Sequence, residues 1–188
     1  MSLSTREKII SVAEREIQYH GYNAFSYHTI AEALGVKNAA IHYHFPKKDD
    51  LLEEVVNQAL VRFHKLTSLA ELQDKNCTER LHRFLKIYDD NLDRDNRVCL
   101  IGSLATDFFT LPDIMHGKLE VLVTTMKTWL AQVLDEGRVN GEFKFNGAAN
   151  DRAALVCSSM AGALQLARIL GESEYKSIKT LLLKDIKS

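Results

Sequence analysis

Apolar side chains recur at intervals of three and four residues from the beginning of the chain. In the segment 4–20 these positions fall on one side of a helical projection: Ile9, Ile10, Ala13 and Ile17. Such spacing predicts an amphipathic helix whose apolar face is turned inwards. Ser4 or Thr5 can cap its first turn, and Gly21 can adopt the left-handed conformation that often ends a helix.

Two short helices and one long helix are predicted next. Ser26 caps a helix over 27–34, and a tight turn leads into another over about 38–44. Pro46 marks the following break, because its ring disfavours helical geometry at the preceding residue. Beyond it, an apolar stripe predicts a helix over about 48–70, formed by Leu52, Val55, Val56, Ala59, Phe63 and Leu66.

The rest of the chain has the same helical period, which predicts helices over about 77–93, 98–109, 112–138, 151–170 and 173–186. Asn150 or Asp151 would cap the fourth of these. We therefore expect an all-α fold of about nine helices. The first three would form an N-terminal domain, residues 1–47, and the others a C-terminal domain, residues 48–188.

Composition narrows the class of protein. The 188 residues are 46% hydrophobic and include only two prolines, which suits a mostly helical globular protein. We identify no apolar run as long as a membrane span, and the first residues lack the apolar core of a secretory signal. We therefore expect a cytoplasmic protein without membrane contacts.

Charge and cysteine content add two weaker constraints. Residues 1–48 hold six Lys and Arg against four Glu, whereas the whole chain has a net charge of −1. This asymmetry is too mild to indicate nucleic-acid binding by itself.

The three cysteines are far apart and odd in number, which argues against a disulfide framework or a zinc site. We expect reduced thiols, no metal and no cofactor.

Three short helices joined by tight turns are the arrangement of a helix-turn-helix. In this motif the second helix braces on the phosphate backbone and the third enters the major groove, so the turn between them must be short. Gly35 permits a positive φ in that turn. Ala31, Val36 and Ile41 would fill the narrow space between the two helices.

The same fifty residues resemble the N-terminal signature of the TetR family of transcriptional regulators. The matching positions are Thr5-Arg6, Ala13, Gly21-Tyr22, Ser26, Ile30-Ala31, Gly35-Val36, Ile41-His42-Tyr43-His44-Phe45, Lys48-Asp49 and Leu51. The Tyr-His-Phe run followed by Lys-Asp is the most distinctive part. The C-terminal region is more loosely similar to TetR-type ligand-binding domains, through 99–111, the Trp129 helix and 162–168.

The resemblance implies contacts with double-stranded DNA for twelve residues. They are Thr5, Arg6, Tyr27, His28, Thr29, Lys37, Asn38, Ala39, Ala40, His42, Tyr43 and Lys48. Those from Lys37 to Ala40 would begin the recognition helix and reach base edges, and Lys48 would contact phosphate. The family often has Ser or Thr and Gly where Asn38-Ala39-Ala40 stand here, so the base contacts follow less directly than the fold.

Some of these side chains have alternative interpretations. Tyr43 and Phe45 could both be core aromatics, an interpretation that we favour for Phe45. His42 and His44 could suggest a metal, but positions two apart on a helix point about 200° apart, which disfavours a shared ion. His44 is better interpreted as a packing and hydrogen-bonding residue.

The region 77–138 is rich in side chains suited to a small-molecule pocket, although such stripes also form ordinary cores. The candidate ligand-binding residues are Phe84, Tyr88, Cys99, Phe108, Met115, His116, Met126 and Trp129. Cys99 follows Arg94 and Arg97 at a predicted helix start, where a thiol becomes reactive. Some TetR-like regulators with a similar element sense oxidants or electrophiles, so the resemblance suggests this role. The alternative is that Cys99 is a buried, unreactive thiol.

The segment 151–170 is apolar on nearly every side, and a helix of this kind is buried on every side. In a chain of this size one of those sides predicts a partner subunit. The last helix would complete a four-helix interface with two-fold symmetry. The candidate interface residues are Ala154, Ser158, Ala161, Gly162, Gln165, Ile178 and Leu182.

These observations together predict a homodimeric, ligand-responsive regulator that binds a near-palindromic operator. The resemblance favours a repressor over an activator. A small-molecule or electrophile inducer would release it from DNA. Two alternatives stay open at this point, a small helical enzyme and a DNA-binding protein without a sensor. The sequence has no convincing nucleophile–base pair, glycine-rich phosphate loop or metal cluster, which argues against the enzyme.

Overall fold

The computed structural model describes residues 3–68, 75–93 and 97–187. Within them the chain forms nine α-helices and one short 3₁₀ helix. The helices are α1 (Thr5–His20), α2 (Tyr27–Leu34), α3 (Asn38–His44), α4 (Lys48–Leu66), α5 (Cys77–Leu92), α6 (Leu100–Thr106), the 3₁₀ helix (Phe108–Thr110), α7 (Asp113–Val139), α8 (Ala149–Leu170) and α9 (Glu172–Lys187). The all-α prediction is confirmed.

The first helices begin and end where their caps predict. Ser4 accepts a hydrogen bond from the backbone N–H of Glu7, whose carboxylate accepts one from Ser4 in return. Ser26 and Thr29 form the equivalent box at the start of α2. Gly35 ends α2 with φ 65°, a conformation that favours glycine. Local chemistry therefore determines the boundaries of these helices.

Three predicted boundaries need correction. Helix α8 begins at Ala149 with Ala148 as its N-cap, not with Asn150 or Asp151, because the backbone of Ala148 is already extended and both polar residues lie in the first turn. The predicted helix 98–109 is instead split at Asp107 into α6 and the 3₁₀ helix. Helix α4 ends at Leu66, and the predicted tail at 69–70 lies outside the described residues.

The chain divides into two compact units. The first comprises residues 1–62 and 100–122. Its core is formed by Ile9, Ala13, Ile17, Ile30, Ile41, Phe45, Leu51, Leu52, Val55, Leu104 and Met115. Helix α6 belongs to this unit and packs against α1, where the buried hydroxyl of Ser103 donates to the carbonyl of Ile17. The predicted domain boundary at 47/48 stays a prediction.

The second unit comprises residues 63–99 and 123–188. Within it, α8 and α9 pack against each other most extensively. Its core includes Leu81, Phe84, Leu85, Tyr88, Leu130, Leu134, Phe143, Val156, Met160, Leu164, Tyr175 and Ile186. Gly137 lies against the ring of Phe143, where any Cβ would come within 2.3 Å of it. Glu142 caps α5 by accepting hydrogen bonds from the backbone of Cys77 and Thr78. These contacts fix the loop after α7.

The expectation that no apolar segment is as long as a membrane span is also corrected. Helix α8, Ala149–Leu170, is long enough and apolar enough to span a membrane, with a mean hydropathy of 1.5 over its best window. Core helices of soluble proteins pass the same test, but here only 33% of that window is buried within the chain. The helix therefore has an apolar side that the single chain leaves uncovered.

Candidate nucleic-acid interface

Helix α3 has a buried side and an exposed side. Ile41 and, just beyond the helix, Phe45 are buried in the core of the first unit. Asn38, Ala39, His42 and Tyr43 are exposed, and at about 100° per residue they form one continuous strip. Tyr43 is 83% exposed. The interpretation of Phe45 as a core aromatic is confirmed, and the core alternative for Tyr43 is wrong because its ring points into solvent.

The strip is supported from behind by aromatic and polar contacts. The hydroxyl of Tyr27 donates to the carbonyl oxygen of Phe45 at 2.7 Å. The ring of His42 packs edge-on against Tyr27, with 4.7 Å between the ring centroids. Arg6 lies over the Phe45 ring and pairs with Glu54. The orientation of the strip is therefore set before any partner binds.

The turn between α2 and α3 is as tight as a helix-turn-helix requires. Gly35 takes the left-handed conformation, and the N–H of Val36 donates to the carbonyl of Ala31. Ala31 and Ile41 are both buried, whereas Val36 is partly exposed and contributes less to the space between the helices than predicted. The predicted helix-turn-helix is thus present with its expected geometry.

Lys48 takes part in an internal network at the start of α4. Its ammonium donates to the carbonyl oxygen of Tyr22 at 2.6 Å and lies 4.3 Å from the ring centroids of Tyr22 and Phe25. The Tyr22 hydroxyl donates to Asp49. Burial lowers the pKa of Lys48 and, with the Asp49 carboxylate, raises that of Tyr22. The network joins α4 to the turn after α1.

Asp107 holds the same turn from the other side. Its carboxylate accepts from the backbone N–H of Tyr22 at 2.7 Å and from the amide of Asn23 at 2.9 Å. A Cβ on Gly21 would come within 2.8 Å of it, and Gly21 has φ 84°. We did not predict this contact, because the two segments are 85 residues apart. The break at Asp107 between α6 and the 3₁₀ helix is its nearest local signal.

The twelve residues predicted to contact DNA fall into two groups. Four have hydrogen-bonding or ionic partners within the chain: Arg6 pairs with Glu54, Tyr27 with the Phe45 carbonyl, Thr29 with Ser26, and Lys48 with the Tyr22 carbonyl. The other eight are exposed or, for Ala40, half-buried: Thr5, His28, Lys37, Asn38, Ala39, Ala40, His42 and Tyr43. The second group forms the surface of the candidate interface.

The eight residues predicted to bind a ligand are divided between the two units. Phe84 stacks on Trp129 and contacts Tyr88 in the second unit, which also contains Met126 and Cys99. Phe108, Met115 and His116 belong to the first unit, where the Phe108 ring stacks on His116 at 4.2 Å. The structure thus groups Phe84, Tyr88 and Trp129 into one aromatic cluster.

Cys99 directly precedes α6, as predicted, and is 8% exposed. Arg94, one of the two predicted cationic neighbours, lies outside the described residues. The Cys157 thiol hydrogen-bonds with the hydroxyl of the buried Tyr88. Burial raises the pKa of Cys157, like that of Cys77, to about 11. Both thiols are therefore protonated at neutral pH.

The seven residues predicted at a dimer interface are all exposed or half-buried in the single chain. Ala154, Ser158 and Gln165 are exposed, and Ala161, Gly162, Ile178 and Leu182 are half-buried. Large aliphatic side chains that we did not predict extend this surface: Leu155, Leu166, Ile169, Leu170 and Leu181. Ile169 is 77% exposed. The uncovered side of α8 continues onto α9.

Comparison with known proteins places this geometry in a family. A model described as bacterial regulatory proteins of the tetR family matches residues 9–55, and a tetracyclin repressor-like C-terminal domain model matches 77–177. A search of curated proteins gave no match.

Among solved structures, a TetR transcriptional regulator from Legionella pneumophila is 32% identical, with both chains fully covered and a TM-score of 0.86. A TetR-family regulator from Agrobacterium tumefaciens is 26% identical, covers 97% of each chain and has a TM-score of 0.87. A regulator from Saccharomonospora viridis, solved with choline, shares the fold at 24% identity, 97% coverage of each chain and a TM-score of 0.73. Since the family models together cover most of the chain, this protein belongs to the TetR family of DNA-binding transcriptional regulators, which are not enzymes.

Proposed function

We propose that the chain is a homodimeric, ligand-responsive repressor that acts in the cytoplasm on a near-palindromic operator. The exposed strip on α3 is the observation that carries the proposal. Its polar and aromatic side chains face solvent, while Tyr27 and Phe45 hold the helix from behind. A rigid helix with an exposed polar face suits insertion into a major groove.

In this proposal some exposed residues contact the bases and others contact the phosphates. Asn38, Ala39, Ala40, His42 and Tyr43 contact base edges, and Thr5 and His28 contact the phosphates. Lys37, which we expected at base edges, is assigned to a phosphate instead, because it precedes the first turn of α3 as its N-cap residue. Arg6 and Lys48 join only by exchanging Glu54 and the Tyr22 carbonyl for phosphate oxygens. Tyr27 and Thr29 contact DNA only at the expense of bonds that support α2 and α3.

A second copy of the chain would cover the apolar side of α8 and α9. Two copies related by two-fold symmetry would place the same exposed side chains opposite each other, in a four-helix interface. Small residues at 154, 158, 161 and 162 would let the helices approach closely, and Leu155, Leu166 and Ile169 would be buried. The dimer would present two α3 helices to successive major grooves, about 34–36 Å apart.

A small molecule would bind in the second unit beside Phe84, Tyr88 and Trp129. Stacked aromatic rings with a buried hydroxyl offer the mixture of apolar area and few polar groups that ligand sites use. The Saccharomonospora neighbour was solved with choline, which supports a small-molecule role for this fold. Ligand binding that favours another separation of the α3 helices weakens operator binding by linkage.

An electrophilic or oxidising inducer would act through Cys99, and this part of the proposal has its own test. Hydrogen peroxide, which oxidises a single thiol to a sulfenic acid and is itself reduced to water, should release DNA from the wild type but not from Cys99→Ser, while Cys77→Ser should respond as the wild type does. Cys77 is a matched control because burial raises the pKa of its thiol to about 11. Equal release from wild type and Cys99→Ser would contradict a role for this thiol.

A mobility-shift assay with genomic fragments tests DNA binding as a function of salt. Each phosphate contact contributes about −0.9 to the slope of log affinity against log salt. Lys47, which was not among the twelve predicted residues, is exposed just beyond α3, and we add it to Lys37 as a phosphate contact. These two lysines give four cations per dimer and a slope of about −3.6. If Arg6 and Lys48 exchange their partners, the slope approaches about −7. Binding that salt does not change would contradict the proposal.

A further inference from the structure

The centre of the exposed strip on α3 is a methyl group. Ile41 defines the buried side of the helix, and Ala39 and Tyr43 both lie about 160° from it. Across the exposed strip the order is Asn38, His42, Ala39 and Tyr43, so Ala39 lies in the middle between His42 and Tyr43. A side chain in the middle of the strip faces the floor of a groove that α3 enters. Its chemistry therefore restricts the base pair that it can face.

The first unit offers no free guanidinium to this strip. Its three arginines, Arg6, Arg15 and Arg62, pair with Glu54, Glu16 and Glu14, respectively. None of them lies on α2 or α3. Contact from Arg or Lys to the O6 and N7 atoms of guanine is the commonest specific contact in the major groove. The nearest exposed lysine, Lys37, precedes α3 as its N-cap residue, so the middle of the strip itself has no cation for this contact.

Two side chains of the strip, Ala39 in its middle and Asn38 at its edge, favour A·T pairs. A methyl group makes its best major-groove contact with the C5-methyl of thymine, and an Asn amide matches the N6 and N7 atoms of adenine. Asn38 and Ala39 are adjacent and exposed. His42, one helical turn after Asn38, packs its ring against Tyr27.

We infer that each operator half-site presents a thymine methyl to Ala39 and a neighbouring adenine to Asn38, so that an A·T step occupies its centre. The inference rests on the proposed function, because it assumes that α3 is the recognition helix. In this inference Lys37, just before α3, and Lys47, just after it, contact phosphates and add no base preference. Tyr43 borders the same step through its exposed ring.

Modified DNA tests this with the wild-type protein, so that no variant has to fold. DNA is first selected from a random pool, and each thymine of the selected site is then replaced by deoxyuridine, which lacks only the C5-methyl. Loss of one methyl contact should weaken binding about fourfold, and loss in both half-sites about fifteenfold. Replacement of the adjacent adenine by 7-deazaadenine, which lacks N7, should also weaken binding.

Protein variants then assign each effect to a residue. Ala39→Gly should bind the thymine and deoxyuridine sites equally, and Asn38→Ala should bind the adenine and 7-deazaadenine sites equally. Lys37→Ala is the matched control: it should weaken binding to all sites and leave both preferences unchanged. Selected half-sites centred on G·C, or binding unaffected by every deoxyuridine, would overturn the inference. Failure to select any DNA would instead contradict the proposed function.

Discussion

Two exposed surfaces within the described residues differ in chemistry. The strip on α3 is small, and its side chains are polar or aromatic, with a single methyl at its centre. The surface of α8 and α9 is large and carries aliphatic side chains such as Leu155, Leu166 and Ile169. The first surface suits a polar partner that is recognised by specific hydrogen bonds and contacts. The second surface suits an apolar partner, whose binding depends on the apolar area that is buried.

The two surfaces also differ in what supports them. Hydrogen bonds and ring contacts of Tyr27 and Arg6 hold α3 in place. The buried side of α8 carries apolar residues such as Val156, Met160 and Leu164, so this helix is held by apolar packing. A specific polar surface needs a fixed geometry, whereas an apolar surface tolerates adjustment when two copies associate.

The largest effect should come from placing a charge on the α8 surface. Gly162→Glu should give a monomer by sedimentation, because a buried, unpaired carboxylate opposes association. Loss of the second half-site should reduce operator affinity by roughly 10²- to 10⁴-fold. No heavy atom lies within 4 Å of a Cβ built on Gly162, so the single chain can accommodate the change.

Gly117→Glu is the matched control, since Gly117 is also helical and has open surroundings, but lies on α7. It should remain a dimer. A Gly162→Glu protein that sediments as a dimer would refute the assignment of this surface.

A smaller effect should follow from loosening the turn that precedes α2. Asp107→Ala leaves the N–H of Tyr22 without its acceptor and should lower the free energy of unfolding by about 2 kcal/mol. Asp107→Asn keeps one carbonyl acceptor and should lose less. Thermal unfolding measures both, and an Asp107→Ala protein with the Tm of the wild type would show that this contact is dispensable.

The smallest effect concerns the support behind α3. Tyr27→Phe removes the hydrogen bond to the Phe45 carbonyl and should cost about 1 kcal/mol. Burial, with the Asp50 and Asp49 carboxylates, raises the pKa of Tyr27 to about 12. The unfolded chain loses this proton near pH 10 and the folded chain near pH 12, so stability is retained below pH 10 and falls as the pH rises through this window.

Urea unfolding between pH 8 and 11 measures the decline, which should be shallower in Tyr27→Phe than in the wild type. Tyr43→Phe, at an exposed position on the same strip, should change stability little. Identical pH profiles for the wild type and Tyr27→Phe would contradict a buried, bonded Tyr27.

Local signals predicted most of the fold and part of the site. The capping residues Ser4 and Ser26, with Gly35, act within one turn, so the boundaries of α1 to α3 could be read from neighbouring residues. The contact from Asp107 to Tyr22 could not, because it depends on how α6 packs against α1. Arg6 and Lys48 also bind partners that are distant in the sequence. For this reason the sequence predicted DNA contacts for both residues but not their partners within the chain.

Footprinting of the selected DNA tests the central claim most directly. A homodimer that inserts one α3 helix into each of two successive major grooves should protect two segments whose centres are about 10 base pairs apart. The two segments should be related by near-palindromic symmetry, and Tyr43→Ala should weaken protection of both equally. A single protected segment, or protection at a fixed spacing without any shared sequence, would contradict the account.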